Sequence, residues 1–277
     1  MSKSPFKRLP PAIPLLLLAL SACGPVTFPA DRLPETVRAL CLKEQKVDVD
    51  ARLVGHTLYM SCAVDGLIGI TLDFDKKALE TLEGVMMSGT RASLSTDAKV
   101  DFLSVRVADA RLGSSITLLR YVPDIKGILY MRYSRDDFES RLVIETDGAP
   151  DPDASPEEQH DITLPEFVGR LIASRLHRQL TGNPLVSVFL RVSDVRSRVE
   201  NGDVVLVIVF ADDDLVSDSS MPVLEAAVQE VAVDVFKKYD PDGSYFRGVR
   251  LEDGKSRVLS QKTRSELFSN LVVNDKK

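Results

Sequence analysis

The sequence predicts an α+β protein built from two tandem, duplicated αββαβ units, each a mainly antiparallel sheet with its helices on one face. Helix and strand periodicities succeed one another in the same order in both halves of the chain. One acidic, Pro-containing stretch, residues 148–161, divides those halves. Matching segments recur in the two halves at a nearly constant spacing.

In the first half, Leu33, Val37, Leu40 and Cys41 fall at helical spacing, and Pro34 sits in a first turn, where its missing N–H costs nothing. That helix is expected to end near Lys46. Val47, Val49, Ala51 and Leu53 alternate as one strand, and Leu58, Met60, Cys62 and Val64 as the next, with Gly55-His56 as the hairpin turn. Ala78, Leu79, Leu82, Val85 and Met86 share one face of a second helix expected over residues 74–87. Strands are expected over 100–108 and 116–122. The stretch 123–142 is ambiguous, apart from Ser134-Arg135-Asp136-Asp137, which has the pattern of a capped helix start. A short strand over 142–145 closes the half.

The second half opens with a helix over 164–180, whose apolar side carries Phe167, Leu171, Ile172 and Leu180 and which Gly182-Asn183-Pro184 ends. A long strand is expected over 186–199. Asn201-Gly202 suits a type I′ turn into the nearly continuous apolar run from Val204 to Ala211, the composition of a strand covered on both faces. An amphipathic helix over 221–238 follows, then strands over 246–252 and 257–260 and a short helix over 263–270. The extra apolar face of this second hairpin requires a cover, from the other half or from a partner.

The duplication rests on specific residues. Gly55 and Gly202 lie 147 positions apart. At an offset of 144, Phe102-Leu103-Ser104-Val105-Arg106-Val107-Ala108-Asp109 matches Phe246-Arg247-Gly248-Val249-Arg250-Leu251-Glu252-Asp253, with five of eight positions alike. Thr263-Arg264-Ser265-Glu266 parallels Ser134-Arg135-Asp136-Asp137. The first half has extra residues around 115–133.

The N-terminus reads as an address. Lys3, Lys7 and Arg8 form a positive segment without acids, followed by a short apolar run through Leu20 and then Leu20-Ser21-Ala22-Cys23. A spanning helix needs about 20 apolar residues, and this run is much shorter. The segment resembles the signal peptide and lipobox of bacterial lipoprotein precursors. That resemblance covers residues 1–23 only. It implies cleavage before Cys23, a thioether-linked diacylglycerol on its sulfur and acylation of the new amino group; Gly24 at the next position resembles outer-membrane sorting. The expected organisation is a signal peptide over 1–22, a lipidated tether over 23–32, a unit over 33–147, the linker over 148–161 and a second unit over 162–277. The lipid bilayer, reached through acylated Cys23, is the first expected partner. Multiple acyl chains give stable attachment where one would not.

Removal of 22 residues leaves 255, enough for one large or two small cores. The leader holds three of the 35 basic residues and none of the 41 acids, so the mature chain carries a net charge near −9. That disfavours nucleic acid and anionic lipid as partners for the bulk of the surface. With no Trp, an aromatic sugar-binding platform is disfavoured too. Cys41 and Cys62 fall on facing apolar sides in an oxidising compartment, which permits a disulfide; two buried free thiols are the alternative.

Chemistry is sparse. His56 falls at a turn, His160 in the linker and His177 in an amphipathic helix, none with Cys or His at metal-ligand spacing. Asp212-Asp213-Asp214 reads as a solvated loop ahead of a helix, and Asp240-Pro241-Asp242-Gly243 as a helix-to-strand turn. Arg106, Asp109, Arg250 and Asp253 form a repeated polar surface, either a common ligand site or a solvated strand face with Asp at the turn. The expectation is a periplasm-facing, outer-membrane lipoprotein without cofactor, acting as a non-enzymatic interaction or assembly module with an envelope protein partner. A lipid-anchored hydrolase with a triad assembled in space and a carrier of an apolar ligand are the alternatives.

Overall fold

The structure, a computed structural model, describes residues 27–67, 75–147, 159–182, 190–211 and 220–269. The expected signal peptide, Cys23, most of the expected linker, the start of the strand expected from residue 186 and Asp212-Asp213-Asp214 lie outside the described residues.

Helix α1 (Leu33–Leu40) begins with Pro34 in its first turn and runs on through a wide turn, Cys41–Gln45. Lys46, at φ 60°, ends it in the left-handed conformation. Leu33, Val37 and Cys41 are fully buried. Strands β1 (Asp50–Val54) and β2 (Thr57–Val64) form the expected antiparallel hairpin. Gly55 takes φ +58° at its turn, a region open to glycine at no steric cost.

Helix α2 (Lys76–Leu94) starts at Asp75, whose carboxylate accepts the N–H groups of Lys77 and Ala78. It runs beyond the expected end at Met87. Small residues, Ser88, Gly89, Ala92 and Ser93, occupy its buried side there, so the apolar periodicity fades while the helix continues. A Cβ on Gly89 would lie 2.3 Å from the Met60 methyl, which shows how closely helix and sheet approach.

The crossover through α2 sets β3 (Phe102–Asp109) parallel to β2. Strands β4 (Ser115–Tyr121) and β5 (Val143–Asp147) add antiparallel, giving the order β1-β2-β3-β4-β5. The ambiguous stretch folds as α3 (Val122–Leu129) and α4 (Arg135–Ser140). Ser134 caps α4, its hydroxyl accepting the Asp137 N–H at 3.1 Å.

The second unit repeats the plan with α5 (Leu164–Gly182), β6 (Val192–Glu200), β7 (Asp203–Phe210), α6 (Met221–Tyr239), β8 (Gly248–Asp253), β9 (Val258–Thr263) and α7 (Arg264–Ser269). Its order is β6-β7-β8-β9, again with one parallel pair, β7–β8, beside the crossover helix. Asn201 (φ 52°) and Gly202 (φ 85°) make the β6–β7 turn. Among the described residues the second unit therefore carries one strand more than the αββαβ plan and the first unit two, β5 being the second, so the shared plan is αββαββ. The offset of 144 survives in the register. Arg106 lies between Ser61 and Thr117, and Arg250 between Val205 and Gln261, each pair 144 apart. Strand β9 leads directly into α7, whereas β4 reaches α4 only through the added helix α3.

Each unit keeps its own helices on one face. Leu103, Val105 and Val107 join Leu58, Met60 and Val85 in the core under α1 and α2. The opposite face of the first sheet is also covered, by α5 of the second unit. Phe102, Leu119 and Val143 belong to the same core as Phe167, Leu171, Val204 and Phe236. These residues point away from α2 because strand side chains alternate, and their apolar surface draws α5 across the join.

Candidate functional site

Three polar constellations and one apolar tip stand out among the described residues. The first lies at the join. Phe102, Tyr121, Phe167 and Tyr239 pack with ring centroids 5.2–6.3 Å apart, and such pairs contribute about 0.5–1.5 kcal/mol each beyond area burial. Beside them Asp124 of α3, 2% exposed, accepts Arg141 Nη1 at 2.9 Å and the Tyr239 hydroxyl at 2.5 Å. Arg141 stacks 3.9 Å over the Tyr133 ring and also binds Asp137 at 2.9 Å, which Lys238 of α6 meets at 2.7 Å. Burial pushes the Asp124 carboxyl up, and the Tyr239 and Arg141 contacts oppose it. Burial, then the neighbouring Asp124 charge, raises the Tyr239 phenol. Arg141 of the first unit and Tyr239 of the second both donate to this carboxylate, so the arrangement locks the units together.

The repeated polar residues split into two roles. Asp109 and Asp253 do the same work at the ends of β3 and β8. Asp109 accepts the N–H groups of Leu67, Arg111 and Leu112, and Asp253 those of Lys255 and Arg257 plus the Arg257 guanidinium. Both organise the turn to the next strand. The Leu67 N–H, then that of Arg111, hold the Asp109 carboxyl below the usual carboxylate range. Burial works to raise Asp253, but the Arg257 contacts outweigh it and the carboxyl is lowered.

Arg106 and Arg250 occupy equivalent register positions in different surroundings. Arg106 Nε donates to Ser115 Oγ at 3.1 Å. Arg250 belongs to a closed ring of alternating charge. Arg198 binds Glu200 at 2.5 Å and Glu252 at 2.7 Å, and Arg250 binds Glu252 at 2.9 Å and Glu200. The cross-strand register sets both arginines beside Val205, which is fully buried. Aliphatic arginine stems shield apolar surface while the guanidinium stays polar, so this ring helps to cover the apolar second hairpin. The structure thus separates the four residues into two turn builders and two strand-face arginines.

Cys41 and Cys62 are free, buried thiols in one core. Burial, then the nearby Cys41, pushes the Cys62 thiol up to about 11, and burial likewise raises Cys41. His56 sits 3.3 Å from Asp161, and His160 2.9 Å from Glu166. These contacts fix the start of the second unit to the first hairpin: the Asp161 carboxylate accepts the His56 N–H at 2.7 Å, and the Tyr59 hydroxyl donates to the His160 carbonyl. Asp240, fully buried, accepts the N–H groups of Tyr245 and Phe246 and the Arg264 guanidinium, building the expected helix-to-strand turn.

Sequence reasoning missed two features. Ser174 of α5 seals the edge of β5, accepting the Ile144 N–H at 3.0 Å and donating to the Ile144 carbonyl at 2.8 Å; no local pattern marks it. Leu129, Tyr130 and Met131 form an exposed apolar tip after α3, with Met131 92% exposed. The run Ile128-Leu129-Tyr130-Met131 was its only signal. No family model matches the chain, and no curated protein matches it in sequence.

Proposed function

We propose that this chain is a lipoprotein held to the outer membrane through acylated Cys23, and that it works in the periplasm as a non-enzymatic interaction or assembly module of the cell envelope. The observation that carries the reading is how its polar groups are used. The oxygens of Asp109, Asp240 and Asp253 hold backbone turns, Asp124 and Arg141 lock the join, and Ser174 closes a strand edge. Groups spent on structure in this way make a rigid body for display rather than a reaction centre.

The surface supports the same reading. Among the described residues strand β9 ends the second sheet, and Val258 on it is 58% exposed. A terminal strand can take an extended segment of a partner through main-chain hydrogen bonds. The test has two parts. Cys23→Ser is expected to leave the signal uncleaved or to move the protein out of the acylated membrane fraction. A photo-crosslinking residue at Val258 or Gln261, in cells, is expected to give a discrete adduct with an envelope protein. Unchanged acylation after Cys23→Ser defeats the anchor; no adduct from either β9 position, with the anchored protein present, defeats the module.

A further inference from the structure

We infer that Leu129, Tyr130 and Met131 are a second membrane contact, an apolar tip that enters the headgroup and upper acyl region of the bilayer to which the tether holds the protein. The inference rests on the anchored reading of Cys23 and adds to it a fixed orientation.

The tip belongs to α3, which has no counterpart between the matching elements of the second unit, since β9 passes straight into α7 while β4 is followed by α3. It is firmly built. The Met131 N–H donates to the Ile128 carbonyl and the Arg132 N–H to the Gly127 carbonyl, which together make a Schellman ending for α3. That ending favours glycine at its left-handed position, yet Met131 stands there at φ 55°. Tyr133 packs against Gly127, where a Cβ would come within 2.0 Å of its ring, and Arg141 stacks 3.9 Å over that same ring. Backbone strain and rigid support are thus combined to hold a methionine in solvent. Leu129 is 63% and Tyr130 71% exposed beside it.

Its chemistry suits a lipid surface. Two aliphatic side chains flank a tyrosine, whose apolar ring and polar hydroxyl match the water–hydrocarbon boundary. Lys126 and Arg132 are exposed next to them, and the Arg132 guanidinium lies 5.8 Å from the Tyr130 ring centroid. Local positive charge beside apolar side chains is the pattern of interfacial contacts, on a protein that is otherwise acidic.

The tether emerges at the same end of the first sheet. Phe28 is stitched to the end of α2, its N–H to the Ser95 carbonyl at 2.7 Å and its carbonyl to the Asp97 N–H and the Thr96 hydroxyl. From there the chain runs to β3, and the Asp101 carbonyl before β3 accepts the Val122 N–H that opens α3. Phe28 follows Cys23 by five positions, a reach of at most about 18 Å. The eight residues of α3 span about 12 Å. A bilayer that holds Cys23 therefore lies close to this end of the sheet.

The protein has no tryptophan, so one introduced indole reports alone. The full-length acylated Tyr130→Trp protein is placed on vesicles of phosphatidylethanolamine and phosphatidylglycerol with brominated acyl chains. Leu112→Trp, at the turn beyond the far end of β3, is the control. The expected result is a blue shift and loss of emission for Tyr130→Trp and neither for Leu112→Trp. If the protein stays on the vesicles and Tyr130→Trp is unquenched, the tip inference falls and the anchor stands. Equal quenching of both variants overturns it as well, because orientation is then not fixed. Shielding in native membranes but not in lipid vesicles means a protein occupies the tip, and the lipid assignment is wrong. If the acylated protein does not stay on vesicles at all, the anchored reading falls with it.

Discussion

Tyr239, the last residue of α6, donates its hydroxyl to the Asp124 carboxylate of α3 at 2.5 Å, joining the two units through a buried charge. Tyr239→Phe removes that donor and leaves the carboxylate more dependent on Arg141. An unsatisfied buried acceptor costs about 1–3 kcal/mol, and each kcal/mol lowers Tm by about 2–4 °C in a chain of this size. Burial already raises the Asp124 carboxyl. A raised carboxylate binds its proton more readily folded than unfolded, so its contribution to stability falls as pH rises through the folded value. Losing the hydroxyl raises it further. The gap between wild type and Tyr239→Phe is therefore expected to be larger near neutral pH than in mild acid, as read by calorimetry at both.

Asp109 and Asp253 have the opposite sign. Both are lowered below 3.8. The stability they add is fully present above that value and is lost as pH falls through their folded values. Urea midpoints of the wild type are expected to drop on acidification below about pH 4. The Asp109→Asn, Asp253→Asn double variant starts less stable at neutral pH and drops less. An identical acid drop in both proteins contradicts this role.

Cys62 is raised to about 11, and Cys41 is raised too. The thiolate is the reactive form, so neither residue is expected to take up a maleimide in the folded protein near neutral pH. Both are expected to react once urea unfolds the chain, giving a mass increase of two adducts without reductant. Adducts that appear only after reduction mean that the bridge permitted by the sequence has formed.

Met131 is the clearest case of a local conformation at odds with its residue. A non-glycine residue in the left-handed region costs about 1–2 kcal/mol. Met131→Gly removes that cost at a position whose side chain is almost wholly exposed. The variant is expected to unfold at higher denaturant than the wild type, by about 1 kcal/mol. A destabilised Met131→Gly protein would show that the methionine packs on something the left-handed ending serves.

Much of the fold was legible because alternation in Leu58, Met60 and Cys62, the Asn201-Gly202 turn and the repeat around Arg106 and Arg250 are local signals. The extra length of α2 was not, since Ser88, Gly89 and Ser93 bury a small-residue face that carries no apolar period. The cover of Val205 was not legible either: the sequence asked for a second half or a partner, whereas the structure sets Arg198 and Arg250 beside it across the register. The repeated Asp109 and Asp253 were found as a pair, but only the turn hydrogen bonds separate their role from that of the arginines. The Asp124–Arg141–Tyr239 lock joins residues 17 and 115 positions apart, and no spacing rule points to it.

The patch formed by Phe102, Leu119 and Val143 is closed by a helix that the ribosome makes later. When the first sheet has been synthesised, its rear surface still lacks Phe167 and Leu171. The unit that emerges first is thus left incomplete by its own residues, and until residues 164–182 arrive it presents a greasy flank to whatever escorts the growing chain. The two halves follow a similar plan, but the borrowed helix makes their maturation a single event.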